Sequence, residues 1–412
     1  MRFTFSFFKN LVSNSKFRFF IGFLILFIFQ IWNTYKGEGI AKTYDSLEYL
    51  KTAENLIVHY SFIKTDSQPY MAWALGFPFL LIIFKDSIFL NLLCILGTYV
   101  FYFDLTQKLV QKTSTKWWLI LAFVFSTPLY LIHHFVWSEP PFLLFLIVNS
   151  WAFYNLSSSN DSTITNQIDS KKLLLFCLFG FLFMSMRNAG IYFVVGISSG
   201  VFVFYLLPLF YRNKKIKLLL IYQNNYFKAL VYFSLSSILP FFLWWLHAKI
   251  QAEGNIMSMY GLATRTLVEE FFNYGDVLSR WLLPSSISLE IRILLLLLFI
   301  VFVLLVATRA MASNFTYSYR CSCPHERPIA NTKFILFIFW IIFVYLIGML
   351  LSRAGMKVDA ERFLGIIYPF LCILIGFVLD NMKINEYLKY GIAFLWLIYP
   401  LLRTVKNIIF WN

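Results

Sequence analysis

Apolar runs long enough to cross a hydrocarbon core of roughly 30 Å recur from one end of this 412-residue chain to the other. No polar block between them is large enough to make a separate soluble domain, so the expected architecture is a single all-α, polytopic integral-membrane domain over 1–412. Composition agrees: 60% of residues are hydrophobic, 21% aromatic and 13% charged. That balance excludes an ordinary soluble globule. The formal charge of +15 would suggest nucleic acid in a soluble protein, but basic cytoplasmic loops account for it here, and no nucleic-acid partner is expected. Of the five cysteines, Cys94, Cys177 and Cys372 sit inside apolar runs as small hydrophobes. The spacing Cys321, Cys323, His325 is a weak metal signal and reads better as reduced thiols in a cytoplasmic loop.

The first apolar run, 17–32, follows Arg2, Lys9, Lys16 and Arg18 and has no small-residue cleavage site after it. It reads as a retained first helix with a cytoplasmic N-terminus. The run 70–84 is short and broken by Gly76 and Pro78, so it is expected to lie at the interface without spanning. Further spans follow at 87–103, 117–133, 140–155, 172–186, 190–210, 229–247, 291–308, 333–351, 363–379 and 390–403, about eleven in all with the first. On this topology Lys108, Lys112 and Lys116, then Lys171 and Lys172, then Arg212, Lys214, Lys215 and Lys217 all fall in cytoplasmic loops. Most acids fall on the opposite face. The outer pieces are a first loop over 36–86 that holds a juxtamembrane helix, the turn 133–141, a long loop over 248–290 and the turn 352–362. Trp73, Trp137, Trp244, Trp245 and Trp281 cluster near expected interfaces and read mostly as aromatic-belt residues. His133 and His134 read as polar wall residues.

Five short motifs lie on that outer face. Asp45, Tyr49 and Ala53 fall at i, i+4 and i+8 and share one helix face. Residues 74–81 read Ala-Leu-Gly-Phe-Pro-Phe-Leu-Leu, and 137–144 read Trp-Ser-Glu-Pro-Pro-Phe-Leu-Leu. Arg187 to Gly190 read Arg-Asn-Ala-Gly, and Glu361 to Leu364 read Glu-Arg-Phe-Leu. In order and placement this set resembles the GT-C superfamily of polytopic glycosyltransferases, nearest to the bacterial relatives of protein O-mannosyltransferases and of the aminoarabinose transferase of lipid A. The resemblance implies transfer of a sugar from a polyprenyl-phosphate donor to an acceptor glycan, lipid or protein, at a site on the outward face of a bacterial inner membrane.

The residues carry a chemical reading of their own. Moving a sugar from a lipid phosphate to a hydroxyl needs a base for the hydroxyl and a positive partner for the departing phosphate. Asp45, a carboxylate at the membrane boundary that matches the family's acidic residue in the first outer loop, is the candidate base; its plain alternative is a solvated helix-surface acid. Glu139 opens a helix at Pro140 and is a second catalytic candidate, able to orient the acceptor or, with Asp45, to hold a divalent cation such as Mg or Mn; the alternative is a helix cap. Arg187 and Arg362 stand at outer ends of apolar spans and are candidates to grip the donor phosphate, against snorkelling to headgroups. Tyr49, Glu48 and Glu361 are expected to support the site, and Arg353, Lys357 and Arg265 to add phosphate contacts. Two other functions compete: a polymerase or ligase of lipid-linked glycans, and a transporter or flippase. Near absence of charge at mid-depth of the spans counts against the transporter.

Overall fold

Helices occupy every long apolar run, and short polar residues decide where they begin. The computed structural model describes residues 13–35, 40–63, 70, 73–159, 169–208, 224–251, 266–320, 327–352, 360–382 and 385–410. Helix α1 covers Ser15–Tyr35, and α2 covers Tyr44–His59. A capping box between Thr43 and Ser46 opens α2, and Tyr60 closes it in the left-handed region at φ 53°. Next come α3 (Gly76–Phe84) and α4 (Ser87–Leu109), where the Asp86 carboxylate accepts the backbone N–H groups of Ile88 and Phe89. The run expected as one span over 117–133 is two helices, α5 (Thr113–Val124) and α6 (Thr127–Ile132). Ser126 caps the second, and Pro128 in its first turn cannot donate to a continuing ladder.

The chain goes on through α7 (Glu139–Ser159), α8 (Ser170–Met186), α9 (Gly190–Val201, extended by a π turn over Phe202–Leu206) and α10 (Asn225–Gln251). Then follow α11 (Leu267–Arg280), α12 (Leu289–Arg320), α13 (Arg327–Ser352), α14 (Ala360–Gly365), α15 (Tyr368–Asn381) and α16 (Glu386–Phe410). Among the described residues, seven helices are long and apolar enough to cross a membrane: Ser15–Tyr35, Ser87–Leu109, Thr113–Ile132, Asn225–Ile250, Leu289–Val306, Asn331–Ser352 and Glu386–Phe410. Helices also lie on the other expected spans, but they fall short in length or hydropathy; α8 has 17 residues and α15 has 14. The expected span at 363–379 starts late, because Phe363 belongs to α14 and the long helix opens at Tyr368. With nine residues α3 reaches about 14 Å, half a hydrocarbon core, as its interruption by Gly76 and Pro78 suggested.

Polar side chains stitch the helix ends together. At one end Asn33 Nδ2 donates to the Tyr130 carbonyl at 3.2 Å, and Asn91 Nδ2 reaches the carbonyls of His133 (3.2 Å) and Phe135 (3.1 Å). His133 is fully buried with Nδ1 2.7 Å from the Leu129 carbonyl. At the opposite end Asp380 accepts the backbone N–H groups of Gln111 and Lys112, both at 2.9 Å, while Asn331 Nδ2 donates to the Lys108 carbonyl at 3.0 Å.

Candidate functional site

The site grows from the start of α2. Ala41 donates its N–H to the His134 carbonyl at 3.0 Å and accepts from Val136 N–H at 3.3 Å, so the strap before α2 lies along the turn before α7. The indole N–H of Trp137 donates to Thr43 Oγ1, the capping hydroxyl of α2, at 2.8 Å. With the entry fixed, α2 turns Tyr49 and Ala53 inward, and both are buried. The Tyr49 ring meets Phe77 edge-on with centroids 4.9 Å apart, and its hydroxyl lies 3.4 Å from Ser138 Oγ. Burial pushes the Tyr49 phenol up to about 12, against the opposing pull of Arg362, so it stays protonated at neutral pH. Glu48 is also buried, on the inward side of α2. Gly76, at the start of α3, completes this wall: a Cβ there would fall 2.6 Å from the Ser185 carbonyl oxygen at the end of α8.

Four charged residues from four parts of the chain meet beside Tyr49. Glu139, at the start of α7, has no exposure and is ion-paired to both Arg187 and Arg362. Arg187 is the residue that ends α8, and Arg362 sits on the short helix α14. Arg362 Nε and Nη2 face Glu139, the latter 3.4 Å from Oε2, and Nη1 donates to Asp45 Oδ2 at 2.8 Å. Its guanidinium lies over the Trp137 ring, 4.0 Å from the centroid, and Trp137 stacks in turn on Phe135. Arg187 lies over Phe363 at 4.9 Å. Burial alone would raise the Glu139 carboxyl, but the two guanidiniums outweigh it and hold Glu139 below the usual carboxylate range. Arg362 is held protonated: its carboxylate neighbours overcome the effect of burial. Glu139 is thus a fixed anion with both oxygens turned to arginine. Asp45 differs, keeping 25% of its side chain exposed.

A second polar group stands behind α14. Glu361 turns away from the cluster and takes both oxygens to Arg403 Nη2 on α16, at 2.7 and 2.9 Å, while Trp281 Nε1 donates to it at 3.2 Å. Trp281 and Tyr368 then lead into a cavity of about 150 Å³ between α12, α13, α15 and α16, walled by side chains such as Phe299, Ile342, Leu371 and Trp396. A smaller void continues past Phe339 and Leu374 toward Val378.

Asp45, Glu139, Arg187, Arg362 and Tyr49 therefore come together as one constellation. Glu361, expected to support the site, has its carboxylate on Arg403 and Trp281 instead, while Arg353, Lys357 and Arg265 lie outside the described residues. The aromatic-belt reading needs correction for three tryptophans: Trp137, Trp244 and Trp281 are buried. Two of them hold site residues, because an indole that must satisfy its N–H can brace a polar partner. The sequence reading passed over Arg403, although a lone arginine late in an apolar run is a signal in itself, since such a charge needs a partner. Among the described residues no three His, Cys, Asp or Glu side chains converge as a metal site. Asp45 and Glu139 meet the Arg362 guanidinium rather than each other, so a divalent cation between them would have to displace that arginine. No protein-family model matches the chain, and no curated protein matches it.

Proposed function

We propose that the protein is a glycosyltransferase of GT-C type, which moves a sugar from a polyprenyl-phosphate donor to an acceptor hydroxyl at the non-cytoplasmic face of a membrane that it crosses about eleven times. One observation carries the reading: Asp45, Glu139, Arg187 and Arg362, remote in sequence, form a single buried charge cluster with one partly exposed carboxylate. Such a cluster is costly to bury, and a membrane protein holds ions this way where chemistry uses them.

In the reaction the acceptor oxygen forms a bond to the anomeric carbon while the bond from that carbon to the phosphate oxygen breaks. The acceptor proton passes to Asp45, and the charge left on the polyprenyl phosphate is met by Arg362 and Arg187. Glu139 positions both guanidiniums, and Trp137 fixes the plane of Arg362. The apolar cavity that opens at Trp281 suits the first isoprene units of the donor. No step of this scheme runs through a cation. The basic residues Lys108, Lys112 and Lys116 at the opposite end support a cytoplasmic position for that end by the positive-inside rule, and with it a cluster that faces outward from a bacterial inner membrane. Cysteines introduced at Ser67 and Asp86 should then both react with an impermeant reagent from outside.

The decisive measurement is turnover of the purified protein with a panel of polyprenyl-phosphate sugars, read as mass shifts in glycan, lipid or protein acceptors. Asp45→Asn should lower transfer by about 100- to 10,000-fold, the usual range for a lost general base, in a protein that still folds and binds donor. Near-normal transfer by that variant would remove Asp45 from the chemistry, and with it this reading.

A further inference from the structure

Three of the five N–H donors of the Arg362 guanidinium are taken up by carboxylates. Glu139 faces Nε and Nη2, Asp45 takes Nη1, and Trp137 covers one face. Asp45 and Glu139 are the carboxylates ion-paired to Arg187 and Arg362 among the described residues, and Glu48 is buried on the same helix as Asp45. An anion that binds Arg362 therefore competes with the carboxylates already there for the same guanidinium. The two carboxylates are not equally replaceable. Glu139 has 0% exposure and is shared by two arginines, whereas Asp45 keeps 25% exposure and its one bond to a charged group among the described residues is the contact to Nη1.

We infer that Asp45 occupies the phosphate subsite in the resting protein, and that the donor's phosphate displaces it from Arg362 Nη1. The inference rests on the glycosyltransferase reading and adds an order of events to it. While bonded to Nη1, Asp45 Oδ2 has one lone pair committed to the guanidinium, and that bond holds the carboxylate where the phosphate would sit. When the phosphate takes over Nη1, Asp45 is released at the place where the acceptor hydroxyl must lose that proton. No bond other than hydrogen bonds changes in the exchange, and the charge at Nη1 stays paired throughout. The Asp45 contact and the phosphate grip are therefore two states of one guanidinium position, and the donor frees both Asp45 oxygens for the acceptor.

The exchange predicts a result opposite to that of a cooperating pair: removing the carboxylate should tighten phosphate binding. The probes are undecaprenyl phosphate, the neutral polyprenol of the same length and inorganic phosphate, titrated into the full chain in nanodiscs, with affinity read by native mass spectrometry. Asp45→Asn and Asp45→Ala should each bind undecaprenyl phosphate about tenfold more tightly than wild type, because the competitor has lost its charge. Their affinity for the polyprenol should stay unchanged. Inorganic phosphate should show the same ordering of variants if the headgroup alone drives the exchange, and none if the tail is needed to deliver it; the inference holds in both cases provided the lipid phosphate shows the gain. Arg362→Lys, which keeps a charge for Glu139, should bind the lipid phosphate more weakly than wild type. Equal or weaker binding by both Asp45 variants, with Arg362→Lys still impaired, would overturn the exchange while leaving the phosphate grip standing. No effect in any variant would overturn the grip itself, and the exchange with it.

Discussion

The two ends of the helical bundle handle charge in opposite ways. At the end opposite the site, Lys108 pairs with Asp104 at side-chain exposures of 37% and 46%, and Lys112 with Glu386 at 39% and 49%. Water shares those pairs, so each is worth little to stability, and Lys108 can be replaced without stranding a buried charge, although Glu386 also holds Lys389, 4% exposed, at 3.2 Å. At the site end, Glu139, Arg362 and Arg187 have side-chain exposures of 0%, 6% and 10%, and each carboxylate and guanidinium depends on the others. Breaking one member of such a group leaves its partners unpaired in a poor solvent for ions. The difference separates charges that share their partners with water from charges that depend on one another.

That contrast is open to direct attack. The largest effect should come from Glu139→Ala, which strands two guanidiniums and should destabilise the protein by about 3–5 kcal/mol. The measurement is thermal or denaturant unfolding in detergent, and a loss under 1 kcal/mol would mean the cluster is more hydrated than its exposure shows. The same residue sets an acid limit. Because the folded carboxyl lies below its unfolded value of about 4.3, the unfolded chain binds more protons; the stabilisation is present above that value and is lost as pH falls through the folded one. The contribution of Glu139 to the unfolding temperature should not vary with pH near neutrality and should fall below about pH 4.3, and Glu139→Gln should flatten that part of the profile.

An intermediate effect is expected behind α14. Arg403→Met leaves Glu361 without its two charged bonds and should cost about 1.5–3 kcal/mol. Exchanging the two residues, Glu361→Arg with Arg403→Glu, should recover part of the loss, and no recovery would show that the geometry around Trp281 matters more than the pairing. Gly76→Ala forces a methyl against the Ser185 carbonyl and should cost about 1–3 kcal/mol. Here transfer activity is the sharper reading, since Ser185 lies two residues before Arg187. The smallest effect belongs to the opposite end: Lys108→Met should shift stability by less than about 1 kcal/mol. A loss as large as that of Glu139→Ala would erase the distinction between the ends.

Much of this arrangement is legible in the chain. Hydropathy marks the helical runs, Gly76 and Pro78 announce a helix too short to span, and the spacing of Asp45, Tyr49 and Ala53 puts the last two on the inward side of α2. The break between α5 and α6 was also there to be read in Ser126 and Pro128, but a window that averages hydropathy passes over it. The roles of Trp137 and Trp281 were not legible. An indole near an interface has the same local sequence whether it faces lipid or braces an arginine.

The sequence by itself determined where helices form and which segments carry acids and bases, because helix capping, apolar periodicity and hydropathy act over a few neighbouring residues. Only the tertiary structure decided which charges meet. Asp45 and Arg362 stand 317 residues apart, and Glu139 and Arg362 stand 223 apart, so no local pattern couples them. Their pairing follows from how α2, α7, α8 and α14 pack. Once burial removes water from Glu139 and Arg362, each has to find its partner within the protein.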